Sequence, residues 1–215
     1  ENYEIIPKSQ KEFTIEKNLT PGIYNLIVEV TDNASNSKIF KYTYSIKGYI
    51  EKPDPSAQCN ELTYNGSDQT LAKPYAGVRY ENNKGKNIGT YTVITKLNTN
   101  YYWTDGTRND YEFDCTIEPK DASSLEIGLD HDVYTYDGGE KKPNAIIYDG
   151  EIRLENGVDY TLSYLNNVNV NIGTESPTVI VTYKGNYFGT ASQTFTIIKA
   201  DPNLALSREN GFVEI

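Results

Sequence analysis

Few residues in this chain belong to types that carry out chemistry, and their spacing limits what each could do. His131 is the single histidine. It lies between Asp130 and Asp132 with no Ser or Cys nucleophile in a motif context, so it reads as a surface-loop residue. Thirty carboxylates make some close acid pairs inevitable, and none stands out as a paired-acid glycosidase site. No catalytic residue is therefore expected, and the chain reads as non-enzymatic. Calcium is the metal candidate, because a hard cation needs clustered oxygen ligands. Asp32, Asn33 and Asn36 offer them in one turn, and Asp130 and Asp132 in another. No stretch matches an EF-hand loop, and Asp and Asn also favour turns for their own backbone hydrogen bonds. No cofactor is expected.

Two further groups remain. Cys59 and Cys115 are the only cysteines. A bridge between them would close a loop of roughly 57 residues and stabilise by about 4 kcal/mol through chain entropy. The alternative is two separate buried thiols. Cys115 alternates in phase with Phe113 and Ile117, but Cys59 is out of phase with Leu62 and Tyr64. Pairing then requires a bulge or an early strand switch. Tyr101, Tyr102 and Trp103, followed by Asp105, form the candidate ligand-binding stretch in a loop over residues 98–109. These aromatics either stack on a sugar or fold back over the core.

The elements that must position these groups are strands. Gly89-Thr90-Tyr91-Thr92-Val93 follows Asn87-Ile88, and the words Asn-Ile-Gly-Thr recur at residues 171–174. A third version, Pro21-Gly22-Ile23-Tyr24, also leads into an alternating run. Alternation after a turn signal predicts a half-buried strand. Tyr24, Leu26, Val28 and Val30 then share one face, as do Tyr91, Val93 and Leu97. Phe40, Tyr42, Tyr44 and Ile46 match Tyr111, Phe113, Cys115 and Ile117 as closing strands. Asn65-Gly66 and Asp137-Gly138 are hairpin turn signals. No segment shows helical periodicity.

The repeat period of roughly 65 to 85 residues marks serial modules. They divide as a partial module over 1–48, which contains a strand at Phe13-Thr14-Ile15, and a proline-bearing linker over 49–56. A second module covers 57–118, a linker 119–121, and a third module 122–199. Residues 200–215 start a further module or add a terminal strand. Such small units need aromatic packing or a staple. Nineteen Tyr against six Phe and one Trp meet that need, since Tyr buries a ring while its hydroxyl reaches water.

A net charge of −10 opposes a polyanion, so no nucleic acid is expected as a partner. The basic residues are scattered, which argues against an anionic membrane surface. No run approaches the roughly 20 apolar residues of a bilayer span, so membrane insertion is not expected. The chain begins at Glu1 and contains no Met, and it reads as part of a longer protein.

Leu62-Thr63-Tyr64-Asn65-Gly66, Asn87 to Val93, Asn100 to Gly106 and Thr116-Ile117 together resemble the small β repeats of bacterial secreted and cell-surface proteins, of the MBG and related Ig-like type. Tyr134 to Gly138, Gly157 to Tyr164 and Lys184 to Thr190 are similar to a sister class, and Gly22 to Asn36 to the closing hairpin of bacterial Ig-like domains. The resemblance implies an all-β fold: tandem small Ig-like β-sandwich modules in an elongated array. It implies a non-catalytic stalk or spacer at the cell surface, in some relatives an adhesive tip. Its partners would be neighbouring β modules, with a glycan or host surface protein as an alternative ligand of the 98–109 loop or a strand edge. A further alternative is the accessory region of a large secreted enzyme. The cysteine pair departs from many relatives of this type.

Overall fold

The alternating runs form strands, and the fold is all-β. The computed structural model describes residues 18–171 and 175–201. The strand expected at Phe13-Thr14-Ile15, the Ile172-Gly173-Thr174 part of the second Asn-Ile-Gly-Thr copy and most of segment 200–215 lie outside those residues. In chain order the first elements are β1 (Gly22–Thr31), β2 (Ser37–Ile46), β3 (Gly48–Ile50), the short helix α1 (Pro55–Gln58), β4 (Leu62–Thr63), β5 (Gln69–Thr70), β6 (Val78–Glu81) and β7 (Lys84–Gly85). Next come β8 (Gly89–Leu97), β9 (Tyr101–Trp103), β10 (Tyr111–Glu118), β11 (Lys120–Asp121), β12 (Ile127–Leu129), β13 (Val133–Thr135) and β14 (Ala145–Asp149). The last are β15 (Ile152–Arg153), β16 (Tyr160–Leu165), β17 (Thr178–Tyr183), β18 (Tyr187–Phe188), β19 (Thr190–Thr194) and β20 (Thr196–Ile198). The described residues fall into two compact units: 18–60, 70–84 and 91–115 in the first, and 61–69, 85–90, 116–171 and 175–201 in the second.

In the first unit, β1 and β2 form a hairpin with an unbroken antiparallel register from Gly22↔Ile46 to Thr31↔Ser37. Its tip closes on Asp32, whose carboxylate accepts from Ala34 N at 2.8 Å and from Asn36 N at 2.9 Å. β6 pairs antiparallel with β8. Between them and β10 lies an aromatic chain in which Trp103 meets Tyr111 edge-on at 6.2 Å, Tyr111 meets Phe113 at 6.1 Å, and Phe113 meets Tyr80 at 6.1 Å. Val93, Leu97, Phe113 and Cys115 are buried beside it. The expected alternation of β8 and β10 is therefore the one that packs.

The proline-bearing stretch expected as a linker is ordered structure inside this unit. Gly48–Ile50 pairs in parallel with Tyr101–Trp103. Asp54 caps α1, its side chain accepting from Ser56 N, and Pro55 fills the first helical turn. Both follow from helix-end chemistry: Asp satisfies an orphan N–H, and a Pro there forfeits no hydrogen bond. The helix ends at Cys59, whose N–H donates to Pro55 O at 3.1 Å. Cys59 then bridges antiparallel to Ala72 and forms a disulfide with Cys115, with Cα atoms 5.5 Å apart. The phase conflict noted between Cys59 and Leu62 disappears because Cys59 does not extend β4; it terminates a helical turn before that strand starts.

In the second unit, β4 runs parallel to the end of β10, with Leu62 opposite Ile117. β16, β17 and β19 form an antiparallel sheet in that order, as do β12, β14 and β15. β13 pairs in parallel with β20. Val179, Phe195 and Ile197 are buried at the centre, packed by Leu129, Tyr134, Leu162 and Tyr164. The second expected linker is also paired, since Lys120 and Asp121 lie opposite Tyr187 and Phe188 in a parallel bridge. Tyr64 meets Tyr187 edge-on at 5.3 Å. Residues 61–69, placed from sequence in the second module, thus pack with residues of the third.

Candidate functional site

The aromatic stretch 101–103 is a strand, and its alternation assigns the three rings different duties. Trp103 is 1% exposed, and its indole N–H donates to Asn109 O at 2.8 Å. It belongs to the core of the first unit and is not an exposed stacking platform. Tyr101 is half-buried over two glycines. A Cβ at Gly77, whose φ is +81°, would lie 2.6 Å from its ring, and one at Gly48 would lie 2.9 Å away. Those two missing side chains are what let the ring lie flat on the backbone. Only Tyr102 points the other way.

The parallel pairing with β3 sets Tyr49 directly opposite Tyr102. Their ring centroids are 5.8 Å apart and tilted by 35°, and Tyr49 is 57% exposed. Lys47 places its ammonium 5.0 Å from the Tyr102 centroid, and the Arg108 guanidinium lies 5.1 Å from it. Arg108 also donates to Asn98 O at 3.2 Å. Both cations are held by the negative face of a ring, a contact of about 0.5–1 kcal/mol where exposed. Beside the tyrosines, Lys52 Nζ donates to Asp105 Oδ2 at 2.9 Å, and Thr104 Oγ1 donates to Glu51 Oε2 at 3.0 Å.

Asp105 organises the turn that carries Arg108. Its Oδ1 accepts from Thr107 Oγ1 at 2.6 Å and from Thr107 N at 2.8 Å. These bonds, led by the Thr107 hydroxyl and joined by Lys52, hold its carboxyl down at about 2. Asp105 is thus a turn-former, as Asp commonly is. Sequence reasoning found Tyr102 but missed Tyr49, Lys47 and Arg108. The alternation Lys47-Gly48-Tyr49-Ile50, with Gly48 and Ile50 turned toward Tyr101 and Trp103, was the available signal.

Of the candidate metal ligands, Asp32, Asn36 and Asp130 are engaged in hydrogen bonds within the protein. Asp32 bonds both amide groups of Asn36, and the Asn36 side chain above all lowers its carboxyl below the ordinary range. Asn33 lies in the same turn. Burial pushes the Asp130 carboxyl up, but the side-chain and backbone N–H groups of Asn144 outweigh it and leave it lowered. Asp132 is exposed, and its backbone carbonyl accepts from Thr196 N at 2.8 Å. Among the described residues, no three His, Cys, Asp or Glu side chains gather as a metal site. His131 is exposed, with Nδ1 3.7 Å from Asp130 and its ring tilted against Tyr134.

No family model matches the chain, and neither a curated protein nor a solved structure matches it. The class that the structure defines is an all-β protein with one disulfide among the described residues. No helix among those residues is long and apolar enough to cross a membrane.

Proposed function

We propose that this chain is a non-catalytic spacer region of an extracellular surface protein, built from small Ig-like β-sandwich modules in tandem. The carrying observation is that both segments expected as linkers are strand-paired, Gly48–Ile50 with Tyr101–Trp103 within the first unit and Lys120–Asp121 with Tyr187–Phe188 within the second. A spacer must transmit position, and a hydrogen-bonded connection does so where a free Gly/Ser-type linker would not. The Cys59–Cys115 disulfide supports an oxidising compartment, since such bonds persist outside the reducing cytosol. In the parent protein on its native cell, exchanging residues 49–199 for an unrelated β array of equal length should leave activity intact. Loss of that activity, with surface display unchanged, would refute the spacer role.

A second reading has one specific observation in its favour. The Tyr49–Tyr102 pair sits on a parallel strand pairing with the Tyr49 ring exposed, suited to contact with an external ligand such as a glycan or a host protein.

A further inference from the structure

We infer that Tyr49, Tyr102, Lys47 and Arg108 form a docking site for an acidic saccharide, one bearing carboxylate or sulfate groups on pyranose rings; this rests on the reading of that aromatic pair as a contact surface. Three observations converge. The first is charge. Lys47 and Arg108 both sit about 5 Å from one ring, so their charges lie within roughly 10 Å of each other. Neither is paired with a carboxylate among the described residues, whereas Lys52 and Lys96 are. On a chain of net charge −10, two unneutralised cations at one exposed point make a local attraction for an anion. Arg108 adds a planar fork that suits carboxylate or sulfate oxygens.

The second observation is the ring surface. Tyr49 is 57% exposed and stays on its strand because Gly48 and Ile50 face inward. The face of a tyrosine ring is electronegative, and the C–H bonds on one side of a pyranose are polarised positive by the ring oxygens. A sugar therefore lies on such a face while its hydroxyls stay in water. The third is the polar rim. Directly beyond the two strands, Thr104 donates to Glu51 and Lys52 to Asp105, donors and acceptors held at fixed positions and suited to sugar hydroxyls. The surface is open and built on paired strands, so it fits a polymer laid across it better than a small molecule, which needs a concave site to lose its water.

The test is calorimetric titration of the full 215-residue chain with three hexasaccharides: heparin-derived, oligogalacturonate and the neutral maltohexaose. The acidic two are expected to bind, more weakly as salt rises, and the neutral one not. The double variant Lys47→Gln/Arg108→Gln should weaken acidic binding at least tenfold and flatten its salt dependence. Tyr49→Ala should weaken it about tenfold with the salt dependence kept. Unchanged thermal melting shows that each variant folds. Binding by heparin alone assigns sulfate, and binding by both acidic sugars assigns carboxylate as sufficient. Equal binding of maltohexaose that survives the charge variant overturns the acidic ligand and leaves the contact surface standing. No binding by any of the three, or equal competition by polyglutamate, overturns the saccharide altogether.

Discussion

The hairpin β1–β2 and the pair β16–β17 carry almost the same local pattern. In the first, Tyr24 faces Tyr44, Leu26 faces Tyr42 and Val28 faces Phe40. In the second, Tyr160 faces Tyr183, Leu162 faces Val181 and Tyr164 faces Val179. Their surroundings differ. Val179 and Val181 have no exposure, while Tyr42 is 56% and Phe40 37% exposed. Around β17 the strands β12, β13 and β20 supply Leu129, Tyr134 and Ile197 as a second layer. Among the described residues, the long hairpin adds to its cross-strand pairs the Tyr24–Tyr44 stack at 5.7 Å and the Lys38 ammonium over Phe40. Alternation thus selects which side chains share a face and sets the register, but a face becomes a core only when another layer closes over it. Two strands alone are marginal in water.

The largest effect should come from the disulfide, which staples the unit that also holds the β1–β2 hairpin. Cys59→Ser/Cys115→Ser should lower unfolding free energy by about 3–4 kcal/mol in urea titration. Pulling single molecules before and after reduction should release roughly 190 Å of extra chain, from the 56-residue separation at about 3.4 Å per residue. An unchanged urea midpoint in the double variant would mean that the aromatic chain Trp103–Tyr111–Phe113–Tyr80 holds the unit without its staple.

A pair of truncations distinguishes the buried face of β17 and β20 from the exposed face of β2. Ile197→Ala, at a site 1% exposed, should destabilise by about 3 kcal/mol. Tyr42→Ala should change stability by about 0.5 kcal/mol or less, as for an exposed position. A Tyr42→Ala penalty as large as that of Ile197→Ala would show that the hairpin face is covered in solution.

The smallest effect sharpens the same contrast at two turns. Asp32 and Asp105 both accept from residues two to four places ahead, but only Asp105 also meets a lysine. With its carboxyl at about 2 in the fold and near 3.9 unfolded, Asp105 contributes stability that is complete above about pH 4. That contribution is lost as pH falls through about 2. NMR titration of the carboxyl carbon should show this low midpoint, and Thr107→Val should raise it toward the ordinary value. A midpoint indifferent to Thr107→Val would contradict the assigned cause.

Much of the fold was legible because period-2 patterns are local. Tyr111, Phe113, Cys115 and Ile117 pack as their alternation requires, and so do Val179, Val181 and Tyr183. The stretch Pro53 to Ser56 was harder, since proline marks both a stiff linker and the first turn of a helix. Asp54 ahead of Pro55 was the distinguishing signal. The candidate site was half legible. Tyr101-Tyr102-Trp103 drew attention as a cluster, yet a strand can present only the middle ring outward, and the ring beside it comes from a residue more than 50 positions earlier.

The hairpins expected at Asn65-Gly66 and Asp137-Gly138 do not form, because β4 pairs with β10 rather than β5, and β13 with β20 rather than β14. By itself, the amino-acid order determined the all-β character, the bends at those two sites, where Asn65 and Asp137 accept from Ser67 N and Gly139 N, and which residues share each strand face. These depend on backbone sterics and on neighbours one or two residues away. Tertiary structure alone decided that Cys59 meets Cys115, that Tyr49 stands against Tyr102, that residues 61–69 belong to the second unit, and that the β16–β17 face is closed over while, among the described residues, the β1–β2 face is left partly exposed. Each of those depends on which distant segment arrives at a surface, and a repeating two-residue pattern carries no record of its destination.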